Sequence, residues 1–109
     1  MHTPRTFRNC NTDLLVRQID AYTLAATSGG RVIHRDTGIT LPINEEWSVT
    51  VDLASSDTYV VRRVRQAPDG VEIKDERTYV NAFDLDAYIS AAECFQHPVD
   101  ELLGWYLNR

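Results

Sequence analysis

The chain is poor in lysine, cysteine and long apolar runs, and each shortage excludes something. Its 109 residues hold one lysine, Lys74, against ten arginines, and only two cysteines, Cys10 and Cys94. No Cys-x2-Cys pair exists. Cys94-Phe95-Gln96-His97 supplies two zinc ligands at most, and the other two would have to come from the scattered Cys10, His34 and His2. No metal or cofactor is therefore expected, nor a Cys10–Cys94 disulfide in a reducing compartment. No stretch nears the ~20 apolar residues that cross a bilayer. The opening Met1-His2-Thr3-Pro4-Arg5 lacks an apolar signal core, so residence in the cytoplasm is the default expectation.

Reaction chemistry is equally thin. Gly29-Gly30 leads into a strand-like run, not into a helix whose N-terminus would hold a phosphate. Cys94 falls near the C-terminal end of an expected helix, where the dipole disfavours a thiolate, so Cys94 with His97 makes a poor nucleophile and base. Glu45-Glu46 and the pair Asp84 and Asp86 sit at turns or helix starts, where capping and solvation account for them. His34 has no partner motif and reads as solvent-facing. An enzyme is not expected.

What is present fits one globular domain over residues 1–109, with 43% hydrophobic and 25% charged residues and residues 1–11 read as a flexible polar arm. A net charge of -5 argues against a surface given over to a polyanion. The arginine bias fits the codon usage of a GC-rich genome and points to a high-GC bacterium or one of its mobile elements. Arginine's forked donors, suited to anions, are the alternative explanation.

Along the chain, Asn11, Thr12 and Asp13 offer a helix cap. Leu15, Ile19, Tyr22 and Ala26 then share one helical face, and Gly29-Gly30 stops it. A strand through 14–24 is the alternative. A hairpin follows, Arg31–Arg35 and Ile39–Ile43 around Asp36-Thr37-Gly38, with Pro42 ending its second strand or placing it at an edge. Trp47, Val49, Val51 and Leu53 alternate with Ser48, Thr50 and Asp52 as in a half-buried strand.

The next hairpin turns at Pro68-Asp69-Gly70. Facing Gln66 with Val71 sets Arg65 against Glu72, Val64 against Ile73 and Arg62 against Asp75. That register collects Val60, Val64, Val71, Ile73 and Tyr79 on the face expected to be buried, and Arg63, Arg65, Glu72, Lys74 and Glu76 on the other, whereas a slip of one residue mixes them. Asp84 is placed to cap the following helix, with Phe83 as its staple, and Leu85, Tyr88, Ile89, Ala92 and Phe95 form its apolar stripe. A last helix starts at Pro98, with Val99, Leu102, Leu103 and Tyr106 on its apolar face. Segregated helices and antiparallel strands give an α+β fold: four or five strands, with an N-terminal helix and two C-terminal helices on one sheet face.

Two binding surfaces emerge. The favoured one meets a protein partner through Trp105 and Tyr106, residue types common in hot spots, and through the carboxylates of Glu72, Asp75, Glu76, Asp84 and Asp86. A small acidic inhibitor or accessory protein of a phage or mobile element fits it. Such a protein would occlude a nucleic-acid-handling complex, as an anti-defence protein does, and an exposed Trp105 would also suit a homodimer. The alternative is single-stranded nucleic acid bound on a sheet face by Tyr59, Arg63, Arg65 and Lys74. Glu72 and Glu76 on that same face weigh against it.

Overall fold

The computed structural model describes residues 6–93. Cys94, Phe95, His97 and the expected last helix with Trp105 and Tyr106 lie outside that range. Asn11 caps α1 (Thr12–Gln18), its side chain accepting from the Leu14 N–H at 3.1 Å. The chain then turns extended at Ile19, and Asp20 caps a second helix, α2 (Ala21–Ser28), by accepting from the Tyr22 N–H. Gly29, at φ 65°, ends α2 in the left-handed conformation.

The single helix expected up to Gly29 is thus two. The break rotates everything after it: Thr23, Thr27 and Ser28 are buried, whereas Tyr22 and Ala26 face solvent. A spacing of four, three and four keeps residues on one face only while the helix is unbroken. Asp20, a strong capping residue, competes successfully with continuation.

Five antiparallel strands follow in the order of the chain: β1 (Ile33–His34), β2 (Gly38–Pro42), β3 (Trp47–Leu53), β4 (Tyr59–Ala67) and β5 (Gly70–Val80). Short connections between neighbours produce such a meander. At Gly38 a Cβ would stand 1.9 Å from the Val51 carbonyl oxygen, so only glycine fits beside β3. β2 ends at Pro42, as its missing N–H requires. The helices cover one sheet face, where Leu15, Ile19, Leu85 and Ile89 pack on Ile39, Leu41, Val49, Val51 and Val61. Each fully buried Leu, Ile or Val contributes about 1.5–3 kcal/mol.

The β4–β5 register agrees with the sequence pattern for Gln66 with Val71, Arg65 with Glu72 and Val64 with Ile73. Beyond that a bulge intervenes, and Arg63 pairs with Asp75 and Arg62 with Glu76. A second irregularity between Val61 and Tyr59 accompanies Tyr79, held at φ 58°. Val60 is buried as expected, but the helices cover the other face of the hairpin. Val61 joins the helix-covered core and Arg63 is only 8% exposed, while Val71, Ile73 and Tyr79 face solvent.

Val60-Val61 offers an apolar side chain to each face, so β4 alone does not choose between them. β3 chooses, because its buried Val49 and Val51 stand opposite Arg63 and Val61.

The other sheet face carries polar clasps. Asp52 is buried and accepts from Arg35 at 2.8 Å and from Thr37 at 2.7 Å, and Arg35 also donates to the Thr40 hydroxyl. Residues 6–10, part of the stretch the sequence marks as an arm, are attached to the sheet. Arg8 N–H donates to the Leu53 carbonyl, Ser55 N–H to Thr6, and Cys10 N–H to Asp36. The Phe7 ring lies 5.2 Å from the Arg62 guanidinium, whose Nε donates to Glu76 at 2.6 Å.

Candidate docking groove at the corner of α2 and α3

After β5 the chain makes a 3-10 turn, Ala82–Asp84, closed by Asp84 N–H donating to the Asn81 carbonyl at 2.9 Å, and runs directly into α3 (Leu85–Glu93). This turn replaces the cap and staple expected from Phe83 and Asp84. Asp84 caps nothing, and its carboxylate has no hydrogen bond or ion pair among the described residues. Phe83 is 96% exposed. The stripe of α3 is otherwise as expected, with Leu85, Ile89 and Ala92 buried in the core.

Asp86, in the first turn of α3, accepts from the Asp20 N–H at 2.9 Å and ties α3 to the break between α1 and α2. That bond fixes the start of α2 beside the start of α3, and a groove of about 460 Å³ opens between them. Tyr22, 79% exposed, and Phe83 line it together with Asp84 and Asp86, and buried Thr23 and half-buried Ala87 supply small side chains between. Among the described residues the lining contains no basic side chain, and none of the ion pairs there includes Asp20, Asp84 or Asp86.

Two flat rings and two carboxylates suit a ligand that is cationic at one end and can lie against an aromatic face. No protein-family model matches the chain, and no curated protein or solved structure is significantly similar to it. The groove's own chemistry therefore carries the functional reading.

The remaining residues singled out from the sequence are dispersed. Glu72 lies near the hairpin tip, 3.6 Å from Arg65 and 3.8 Å from Lys74, and Asp75 is 3.6 Å from Arg77. Glu76 lies opposite Arg62 on the face away from the helices. Of the five proposed partner contacts among the described residues, only Asp84 and Asp86 come together in a concavity.

The four residues of the nucleic-acid alternative do not form one open platform. Tyr59 is packed against the core and donates to the Gln18 side chain at 3.1 Å, and its phenol pKa is raised by burial and, less, by Cys10. Arg63 is buried with its guanidinium 5.6 Å over the Trp47 ring. Arg65 is bound to Glu46 as well as facing Glu72. Cys10 is half-buried, and desolvation, then the charge of Asp52, raises its thiol pKa.

No group of three or more potential metal ligands occurs among the described residues, and no helix there is long and apolar enough to cross a membrane. Tyr22 and Phe83 are the contributors that sequence reasoning missed, one assigned to a buried stripe and the other to a staple. Asp20 was the available signal, since a cap in mid-pattern splits the helix and frees Tyr22.

Proposed function

We propose that the protein is a non-catalytic interaction module that docks a protein partner at the corner of α2 and α3. It acts by covering a basic segment of that partner. The observation that carries this reading is the exposure of Phe83, a large ring 96% accessible, on a groove lined by Asp84 and Asp86. Aromatic side chains that meet at a concavity are common anchors of protein interfaces.

The net charge of -5 adds long-range attraction toward a basic surface, which raises the association rate at low salt. Occlusion of a nucleic-acid-handling complex is the form that best suits an acidic protein, because such complexes expose the arginines and lysines that meet phosphates. An inhibitor or accessory protein carried by a phage or mobile element would work in this way.

Affinity capture from the source cells tests the reading when wild type and Phe83→Ala are compared side by side. The protein that co-purifies with wild type is expected to be lost or strongly reduced with Phe83→Ala, while both baits show the same urea unfolding curve. Equal recovery on both baits would remove the groove from the function. For a captured partner, affinity is expected to fall as salt rises from about 50 to 300 mM, since screening shortens the reach of surface charge.

A further inference from the structure

The molecule contains its own examples of what an aromatic ring beside a carboxylate takes up. On the sheet face away from the helices, Arg62 lies over Phe7 and donates to Glu76. On the helix-covered face, Arg63 lies over Trp47 and is the cross-strand neighbour of Asp75. In both places an arginine is set against a ring, with a carboxylate at hand. The α2–α3 groove presents the same components, the rings of Tyr22 and Phe83 and the carboxylates of Asp84 and Asp86, and among the described residues its lining contains no arginine.

We infer that the groove binds an arginine side chain of the partner. Its guanidinium stacks on Phe83 or Tyr22, and its N–H donors reach the carboxylates of Asp84 and Asp86. This rests on the reading of the corner as a docking site and names the residue that enters it.

Arginine is favoured over lysine by three properties. The guanidinium is planar and lies flat on a ring, it is weakly hydrated and so costs less to bring against apolar groups, and its forked donors satisfy two carboxylate oxygens at once. Lysine offers a compact, strongly hydrated charge that meets one carboxylate and stacks poorly. Asp86 retains a role in the fold through the Asp20 N–H, which uses one of its oxygens. The other oxygen and the whole of Asp84 remain for the ligand.

The test is a titration of the 15N-labelled protein at low ionic strength, followed by amide chemical shifts. The probes are three capped tripeptides, Gly-Arg-Gly, Gly-Lys-Gly and Gly-citrulline-Gly. Gly-Arg-Gly at millimolar concentration is expected to give saturable shifts at Tyr22 and at Phe83 to Ala87. The lysine peptide should bind about threefold or more weakly, and the uncharged citrulline peptide should give no saturable shift.

Both Phe83→Ala and Asp84→Asn are expected to reduce the response to Gly-Arg-Gly. Both variants are expected to fold, since Phe83 is 96% exposed and the Asp84 carboxylate has no ion pair among the described residues. Absence of shifts in this group, shifts centred elsewhere, or equal binding of the lysine peptide would overturn the assignment. The two readings separate cleanly. A silent Gly-Arg-Gly titration with capture still abolished by Phe83→Ala sinks the arginine and spares the docking groove. Capture unaffected by Phe83→Ala sinks the groove itself.

Discussion

Two regions of this molecule bring aromatic rings near carboxylates, and they differ in whether an arginine among the described residues lies with them. In the clasp of Phe7, Arg62 and Glu76 the cation is internal, and ring, guanidinium and carboxylate are all partly buried. At the corner of α2 and α3 the rings of Tyr22 and Phe83 point outward and the carboxylates meet no cation among the described residues. The same chemistry serves the fold in one place and is left open in the other. A group satisfied within its own chain stabilises; the same group left exposed contributes little to stability and is free to recognise.

That contrast can be broken in several ways. The largest effect is expected where an internal arginine serves a buried acid. Arg35→Ala leaves the carboxylate of Asp52, only 5% exposed, with Thr37 as its remaining side-chain donor, and should cost about 2–3 kcal/mol in urea unfolding, as depriving a buried charged group of a donor does. Next comes Phe83→Ala measured as binding: affinity for the captured partner should fall about 30-fold, roughly 2 kcal/mol, the size of a hot-spot truncation.

Arg62→Ala removes a half-buried ion pair and a ring contact and should lower stability by about 1 kcal/mol, with partner affinity unchanged because Arg62 lies on the other side of the sheet. The smallest effect concerns Cys10. Its raised thiol pKa leaves less thiolate at a given pH, so in a Cys94→Ser background iodoacetamide should alkylate it more slowly in the folded protein than in urea. The linked sign follows: the folded state favours the protonated thiol, so its contribution to stability is present below the ordinary thiol pKa and declines as pH rises above it.

The fold class was legible because it depends on repeated patterns. The alternation of β3, the Pro68-Asp69-Gly70 turn with its first pairs, and the stripe from Leu85 to Ala92 each specify an element through many residues at once. What was not legible depends on single choices between near-equal options. Val60-Val61 suits burial on either side, and β3 decided it through its own pairing.

The bulge that moves Asp75 opposite Arg63 inserts one residue near the unbroken charged run Lys74-Asp75-Glu76-Arg77, and nothing in that run marks where the extra residue falls. Asp20 and Asp84 both look like helix caps. Only Asp20 acts as one, because a 3-10 turn takes over the start of α3 and releases Asp84 with Phe83. The candidate groove was half-visible for this reason. Its carboxylates Asp84 and Asp86 stood out as acids, but the rings that give them shape were assigned elsewhere, Tyr22 to the apolar face of one longer helix and Phe83 to a staple.

The most direct measurement is a matched pair of urea unfolding curves for Phe7→Ala and Phe83→Ala. Loss of the Phe7 ring should lower stability by about 1–2 kcal/mol, since it packs on Arg62 inside a completed clasp, and loss of the Phe83 ring should change stability by no more than about 0.5 kcal/mol. A Phe83→Ala protein destabilised as much as Phe7→Ala would show that this ring belongs to the fold, and the corner would lose its standing as a binding surface.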